Sequence, residues 1–239
     1  MTTSLTVFTK LGDRPDQFKV FWACGRNTQG VVNVTMACTT EKNEVAAELS
    51  ALQYLLEVRE VCGADRAGNS LAIVCSSGAI RKLAAGKSDK QSLVPFALFL
   101  RTRFADAEIA VSKDDRFIAP VKANNHSHDL LVEQPTLSTM EFPDGLRVGI
   151  THHALSAYMI RYQVPLAANA WRSLRAAVSH PRTRLQVTTS EEISRHGKTV
   201  CAYVTPDGLR LIVVHEKGGP RLLTCYYSRF IARQEMQLV

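Results

Sequence analysis

The sequence predicts an α/β domain followed by a smaller α+β domain, and three observations support this prediction. In the first part of the chain, short β-branched and aromatic runs surround one long helical pattern. Between Gln134 and Gly145 the composition changes to QPTLSTMEFPDG, which has two prolines and no hydrophobic period. The charge changes at the same place. We therefore predict one domain at residues 1–133, a linker at 134–145 and a second domain at 146–239.

The two predicted domains differ sharply in charge. Residues 146–239 contain 13 Lys+Arg, of which 11 are arginine, and 5 Asp+Glu, so 13 − 5 = +8. The remaining 16 Lys+Arg and 17 Asp+Glu give residues 1–145 a charge of −1, in agreement with the total of +7. A charge split of this kind predicts that one domain faces a polyanion. Arginine favours phosphate in particular, because its planar guanidinium donates two parallel hydrogen bonds and also stacks on bases.

In the first domain, the pattern predicts strands, helices and turns in a definite order. Helical spacing of leucines predicts the main helix at Glu44–Val61, and Gly63 marks its end. Leu71–Cys75 is apolar throughout, which is typical of a buried central strand. The other strands are predicted at Leu5–Phe8, Phe18–Ala23, Val31–Cys38 and Glu108–Ser112, and the other helices at Gly78–Ala85, Leu93–Phe104 and Asn125–Glu133.

The second domain is predicted to contain two helices followed by an antiparallel meander. The helices are Thr151–Tyr162 and Leu166–Val178. Turns at Pro206-Asp207-Gly208 and Gly218-Gly219-Pro220 separate the later strands. The strands are predicted at Arg184–Thr188, Thr199–Thr205, Leu209–His215 and Arg221–Tyr227.

Bulk composition excludes several classes of protein. The chain is 46% hydrophobic and has no run of about 18 apolar residues, so we expect neither disorder nor a membrane span. Its start lacks a basic region followed by an apolar core, so we expect a cytoplasmic protein without a secretory signal. The six cysteines form no CxxC pair, which predicts reduced thiols and no zinc site. We expect no cofactor.

Several phrases in the first domain resemble RNase H-like domains. LTVFTKLG resembles their opening strand, NEVAAELSALQYLL their glutamate-bearing helix and LAIVCSSGAI their fourth strand. Asn125–Leu131 is similar to their terminal helix. The resemblance covers about residues 4–133 and implies a mixed sheet with helices. It also implies cleavage of RNA by two metal ions, which needs clustered carboxylates.

This sequence keeps only half of the implied carboxylates. Glu48 and Asp129 match the family, whereas Lys10 and Ser76 occupy the positions of its opening-strand and fourth-strand aspartates. A lysine between two carboxylates would take the place of a metal ion, so we predict a catalytically degenerate domain. An ordinary exposed helix residue is the alternative for Glu48. His126 and His128 diverge if they lie on a helix, which argues against a metal site there.

In the second domain, three phrases resemble small endoribonucleases of the barnase–EndoU–colicin–RelE group. They are ITHHALSAYMIRY, AWRSLRAAVSHPR and a closing sheet of RHGKTVCAYV, GLRLIVVHE and RLLTCYYS. The resemblance implies metal-independent cleavage in which general acid and base groups act on the RNA 2′-hydroxyl. Histidine suits both roles because its pKa lies near neutrality. The candidates for catalysis are His152, His153 and His196, and structural roles for the same histidines remain open.

Binding requires less than catalysis, and the same domain supplies many candidates for it. Arg172 and Arg175 share one face of the second helix, and tyrosines among the arginines are available for stacking on unpaired bases. The candidate RNA-binding residues are Arg161, Arg172, Arg175, Arg182, Arg184, Arg195, Lys198, Arg221, Tyr226 and Arg229.

Three functional hypotheses follow. The first is a protein that binds single-stranded RNA with low sequence specificity and does not cleave it. The second is a metal-independent endoribonuclease, and the third is a protein-interaction module with an acidic partner, which could also be contacted through the first domain. The combination of domains resembles the two-domain RNA-binding proteins of nucleus-forming bacteriophages.

Overall fold

A computed structural model of the protein describes residues 2–25, 28–123 and 126–227. The chain divides into two compact units, Met1–Thr136 and Leu137–Val239. The boundary lies inside the segment that the sequence predicts as a linker. Each unit has its own sheet and its own buried apolar side chains.

The first unit is built on a six-stranded sheet with the order β5-β4-β1-β2-β3-β6. Strands β1 to β3 are antiparallel neighbours, while β4, β5 and β6 each run parallel to the strand that they join. The strands are β1 (Thr3–Leu11), β2 (Gln17–Cys24), β3 (Thr28–Met36), β4 (Leu71–Cys75), β5 (Glu108–Val111) and β6 (Ser127–Val132).

Helices cover both faces of this sheet. The helix α1 packs on the face that carries Leu5 and Val7 of β1, and α3 packs on the opposite face against Phe21 of β2. The α-helices are α1 (Asn43–Gln53), α2 (Gly78–Ala84) and α3 (Ile118–Ala123). A π-helical turn at Tyr54–Val58 extends α1, and two 3₁₀ segments lie at Gln91–Leu93 and Pro95–Arg101.

One helix prediction in this unit holds in part and another is wrong. The range Leu93–Phe104 contains the 3₁₀ segment Pro95–Arg101, which begins at a residue that has no backbone N–H to donate. Asn125–Glu133 is not a terminal helix, because Ser127–Val132 forms β6 and pairs in parallel with β3 from Val31 to Met36. Asn125 lies outside the described residues.

The second unit also has a six-stranded sheet, with the order β7-β8-β12-β11-β10-β9. Its strands are β7 (Thr139–Glu141), β8 (Arg147–Ile150), β9 (Arg184–Gln186), β10 (Val200–Val204), β11 (Leu209–Glu216) and β12 (Gly219–Tyr227). Its helices are α4 (His152–Tyr162), α5 (Ala167–Val178) and α6 (Ser190–His196).

The four strands expected from the sequence, β9 to β12, pair antiparallel in chain order. The sheet as a whole is mixed, because β8 runs parallel to β12 through the pairs Arg221↔Gly149 and Leu222↔Ile150. The strands β7 and β8 and the helix α6 were not predicted from the sequence. The predicted linker contains β7, which pairs with β8 because the chain reverses between Glu141 and Arg147.

The helices α4 and α6 lie on opposite faces of this second sheet. The thiol of Cys225 points toward α4 and lies 4.0 Å from the carbonyl of Ala154. Because neighbouring side chains alternate across a strand, Tyr226 points the other way, where its hydroxyl bonds Glu192 of α6.

Both units thus combine helices with a mixed sheet. Every helix in the described ranges falls short of the length and apolar character that crossing a bilayer requires.

Candidate nucleic-acid interface

A long segment of the second unit contains arginines and no acidic residue. Between Leu146 and Ser190 the chain has six arginines and neither aspartate nor glutamate. Carboxylates that pair with arginines on this segment must therefore come from elsewhere in the chain. The segment runs from β8 through α4 and α5 to β9.

The amphipathic pattern of α5 places two of these arginines in solvent. Trp171 and Leu174 face the interior and are at most 2% exposed, which orients the helix. Arg172 and Arg175 lie on the opposite side and are exposed. Arg172 also contacts the amide oxygen of Asn169, at 3.5 Å. The prediction that these two arginines share an exposed helix face is consistent with this placement.

Two further arginines follow α5, one in the loop and one at the first position of β9. Thr183 is buried, and its hydroxyl donates a 2.7 Å hydrogen bond to the carbonyl of Ala177 in α5. Arg182 and Arg184 flank Thr183 and are both exposed. Within the described ranges, neither guanidinium forms an ion pair or a hydrogen bond. We refer to Arg172, Arg175, Arg182 and Arg184 as the arginine surface.

Two other predicted RNA-binding residues, Arg195 and Arg221, are partly neutralised by neighbouring carboxylates. The guanidinium of Arg195 lies 2.6 Å from Glu191, and that of Arg221 lies 3.2 Å from Glu216. Arg161 donates to the carbonyl of Ala157. Lys198 is exposed. Arg229 lies outside the described residues.

The hydroxyl of Tyr226 takes part in a buried polar network. Its hydroxyl donates to Glu192, which also accepts hydrogen bonds of 2.8 and 2.9 Å from Arg210. Burial alone would raise the pKa of Glu192, but the hydrogen bonds from Arg210 and Tyr226 outweigh it and lower that pKa to about 2. The Tyr226 ring itself is half-buried, so stacking on a base would use only its outer part.

Neither Glu192 nor Arg210 was predicted from the sequence, although one signal for Glu192 was present. Thr189 and Glu192 have the spacing of a capping box, and the structure forms both of its hydrogen bonds. This signal would have found α6. It would not have found Arg210, because the pairing with Glu192 joins residues 18 positions apart in the chain.

Tyrosines gather at the end of the sheet where α4 finishes. The rings of Tyr158 and Tyr162 stack with centroids 4.3 Å apart, and Tyr227 lies 5.9 Å from Tyr162. Asp207 accepts hydrogen bonds from the hydroxyls of Tyr162 and Tyr227. Tyr227 is 46% exposed, so this cluster offers an aromatic face to solvent.

The predicted catalytic histidines lie on different elements. His152 and His153 are exposed and begin α4, whose N-cap Thr151 accepts a 3.1 Å hydrogen bond from the backbone of Ala154. His196 is half-buried and ends α6. The two helices lie on opposite faces of the sheet, so the structure does not bring these histidines together on one face.

In the first unit, the structure corrects the interpretation of Lys10. Its ammonium lies 2.8 Å from Asp115 on the face of β1 that points away from α1. Thr9 is the residue of β1 that faces Glu48, and its hydroxyl donates a 2.7 Å hydrogen bond to that carboxylate.

Glu48 is a buried carboxyl held by hydroxyl and backbone donors. It is 1% exposed, so the alternative of an ordinary exposed helix residue is wrong. The backbone N–H of Ser76 donates to it at 2.6 Å, and the Ser76 hydroxyl donates as well. Burial raises the pKa of Glu48, against the hydrogen bonds from Ser76 and Thr9. Asp129 is remote from this group on β6, where it accepts a 2.9 Å hydrogen bond from Asn33.

The described residues contain no group of three or more His, Cys, Asp or Glu side chains that could hold a metal ion. His128 lies on a strand, and His126 directly precedes that strand, so the argument that helical spacing separates them is wrong. Residues two apart on a strand point to the same face. Burial is the main cause that lowers the pKa of His128, and the charges of Arg59 and then His126 lower it further.

Comparison with known proteins adds little to this geometry. No known protein family and no curated protein matches the sequence. Among solved structures, the chain is similar to RNase H1 from the halophilic archaeon Halobacterium salinarum NRC-1, with 15% identity and a TM-score of 0.37. The similarity covers 51% of this chain and 91% of that protein.

Proposed function

We propose that this protein binds single-stranded RNA with low sequence specificity through its second unit. The observation that carries the proposal is the exposure of Arg182 and Arg184 in a segment that contains no carboxylate. Neither guanidinium has a partner of opposite charge within the described ranges. A phosphate backbone would supply such partners without requiring any particular base.

The number of exposed arginines favours a polyanion as the ligand over a small molecule with a single charge. Arginines from α5, the following loop and β9 form a surface on which several phosphates of one strand can be bound at once. Each phosphate that is neutralised releases counterions, so the affinity is expected to fall steeply as salt is added.

The preference for single-stranded RNA rests on the exposed aromatic side chains. Tyr227 is partly exposed and is supported by Tyr162 and by the hydrogen bond to Asp207. A ring that is held from behind is a stacking platform for an unpaired base. Bases in a duplex are already stacked on each other, so they would not use such a platform.

For the first unit we propose an RNase H-like domain that has lost two of its four catalytic carboxylates. This proposal is supported by Glu48, whose carboxylate accepts hydrogen bonds from Thr9 and Ser76. In this arrangement two hydroxyl side chains stand where clustered carboxylates would be needed to bind two metal ions. The unit would then act as a scaffold or as a protein-binding module.

Fluorescence anisotropy with a short labelled single-stranded RNA tests the main proposal. The variant Arg182→Glu/Arg184→Glu should bind at least about ten-fold more weakly, because two charge-assisted contacts become repulsive. The matched control is Arg81→Glu/Lys82→Glu, which makes the same change of charge on exposed residues of α2. The control should retain most of the affinity.

Three other results would decide against the proposal. Equal loss in both double variants would indicate only the effect of net charge. Heparin binding as strong as RNA binding would favour an acidic partner. RNA cleavage that persists in EDTA and is lost in His152→Ala or His196→Ala would favour a metal-independent endoribonuclease, the alternative implied by the barnase–EndoU–colicin–RelE resemblance.

A further inference from the structure

Two cysteine thiols meet at one end of the apolar core of the first unit. The sulfur atoms of Cys24 and Cys62 lie 3.3 Å apart, although the residues are 38 positions apart in the chain. Both are free thiols, and each residue is 7% exposed. The pair is therefore buried but not completely sealed.

The fold holds both cysteines in place. Cys24 is the last residue of β2 and points to the α1 side of the sheet, as Val20 and Trp22 do. Cys62 lies in the turn after the π-helical extension of α1. That turn is fixed by hydrogen bonds from Val61 to Leu55 and from Gly63 to Glu60. The two sulfur atoms face each other because of this tertiary arrangement and not through any local motif.

The surroundings make the two thiols unequal. The hydrogen bond from Cys62 lowers the pKa of the Cys24 thiol to about 7, helped by the charge of Arg66 and opposed by burial. The same contact, together with burial, raises the pKa of Cys62. At neutral pH, Cys24 is therefore the thiol that loses its proton more readily, and a thiolate is the reactive form of cysteine.

We propose that Cys24 and Cys62 form a redox-modification site that hydrogen peroxide converts to a disulfide. The proposal does not depend on RNA binding. In the first step the Cys24 thiolate attacks one peroxide oxygen and the O–O bond breaks. The departing hydroxide takes up the proton that the Cys24 thiol has released to solvent and becomes water. Cys24 is then a sulfenic acid.

In the second step the sulfur of Cys62 attacks the sulfur of Cys24. The S–S bond forms as the S–O bond breaks, and the departing hydroxide takes the proton of Cys62 to become water. In total, two thiols and one hydrogen peroxide give one disulfide and two water molecules. The sulfur atoms must approach from 3.3 Å to about 2.0 Å for the bond to form.

Other cysteines in the chain are poorer targets. Burial raises the pKa of Cys75 to about 12 and that of Cys225 to about 11. Burial also raises the pKa of Cys201. Oxidation is thus expected to begin at Cys24 and not at these three sites.

Peptide mapping of the full-length protein tests the proposal. After treatment with hydrogen peroxide and alkylation of the remaining thiols, non-reducing digestion should yield a linked Cys24–Cys62 peptide that dithiothreitol separates. The oxidised protein should also melt at a temperature higher by roughly 5–10 °C, because the cross-link closes a long loop in the unfolded chain.

Two serine variants extend the test. Cys24→Ser should abolish the linked peptide and the rise in melting temperature, whereas the control Cys201→Ser should retain both. Wild-type protein in which both thiols stay alkylatable, or in which Cys24 is oxidised without a link to Cys62, would overturn the proposal. This mapping of the wild type decides the question even if Cys24→Ser fails to fold.

Discussion

Arg210 and Glu192 form a doubly hydrogen-bonded ion pair inside the second unit. The Nε and Nη2 atoms of the guanidinium lie 2.8 and 2.9 Å from the two carboxylate oxygens. Both side chains are less than a tenth exposed. The pair joins the short helix α6 to the middle of the sheet, and Tyr226 donates to the same carboxylate.

Removing one member of this pair should be costly. We expect Arg210→Met to lower the free energy of unfolding by about 3–5 kcal/mol, because it leaves Glu192 buried without its counter-charge. The control is Arg195→Met, which breaks the exposed pair with Glu191 and should cost less than about 1 kcal/mol. Denaturant unfolding followed by Trp171 fluorescence in a Trp22→Phe background reports on the second unit. Similar losses of unfolding free energy in both variants would contradict the claim that burial makes the pair between Arg210 and Glu192 more important than the exposed one.

The stability of the second unit should depend on pH through Glu192. Because its folded-state pKa is lowered to about 2, the ionised carboxylate contributes stability above its ordinary pKa near 4.5. That contribution should disappear as the pH falls from about 4.5 to about 2. Glu192→Gln should be less stable than wild type at pH 6, and the gap should narrow in acid. A gap that stays constant from pH 6 to pH 2 would contradict this sign.

The carboxyl of Glu48 should matter for folding of the first unit. Glu48→Ala leaves the backbone N–H of Ser76 without its acceptor and opens a cavity beside Thr9. We expect a loss of about 2–4 kcal/mol in unfolding free energy. Glu44→Ala, an exposed change on the same helix, should stay within about 0.5 kcal/mol of wild type. Trp22 fluorescence in a Trp171→Phe background follows this unit.

The position of Lys10 can be checked by NMR titration of carboxyl groups. The hydrogen bond and charge of Lys10 lower the pKa of Asp115. In Lys10→Ala, the pKa of Asp115 should therefore return toward its ordinary value while that of Glu48 stays where it is. If the pKa of Glu48 changed instead, Lys10 would lie beside Glu48, as the sequence interpretation had it.

Local sequence patterns predicted most elements of the first sheet. The period-two runs of β1 to β3, the leucine spacing of α1 and the apolar run of β4 each signal their own structure within a short window. The segment Ser127–Val132 escaped this reasoning, because its strand forms through parallel pairing with β3, about a hundred residues earlier in the chain.

In the candidate interface, too, the sequence predicted some features and the fold decided others. Composition revealed the surplus of arginine, and helical spacing placed Arg172 and Arg175 on one exposed face. Composition did not reveal that Glu191 and Glu216 neutralise Arg195 and Arg221, since ion pairs depend on how side chains are oriented in the folded chain.

By itself, the sequence determined the charge asymmetry and the elements whose hydrophobic period is local. Only the tertiary structure decided which arginines remain exposed without a carboxylate, that Thr9 and not Lys10 faces Glu48, and that Cys24 meets Cys62. The physical reason is that periodicity is set by neighbours within one or two turns. The environment of a charge or a thiol is set by chain segments that meet only after folding.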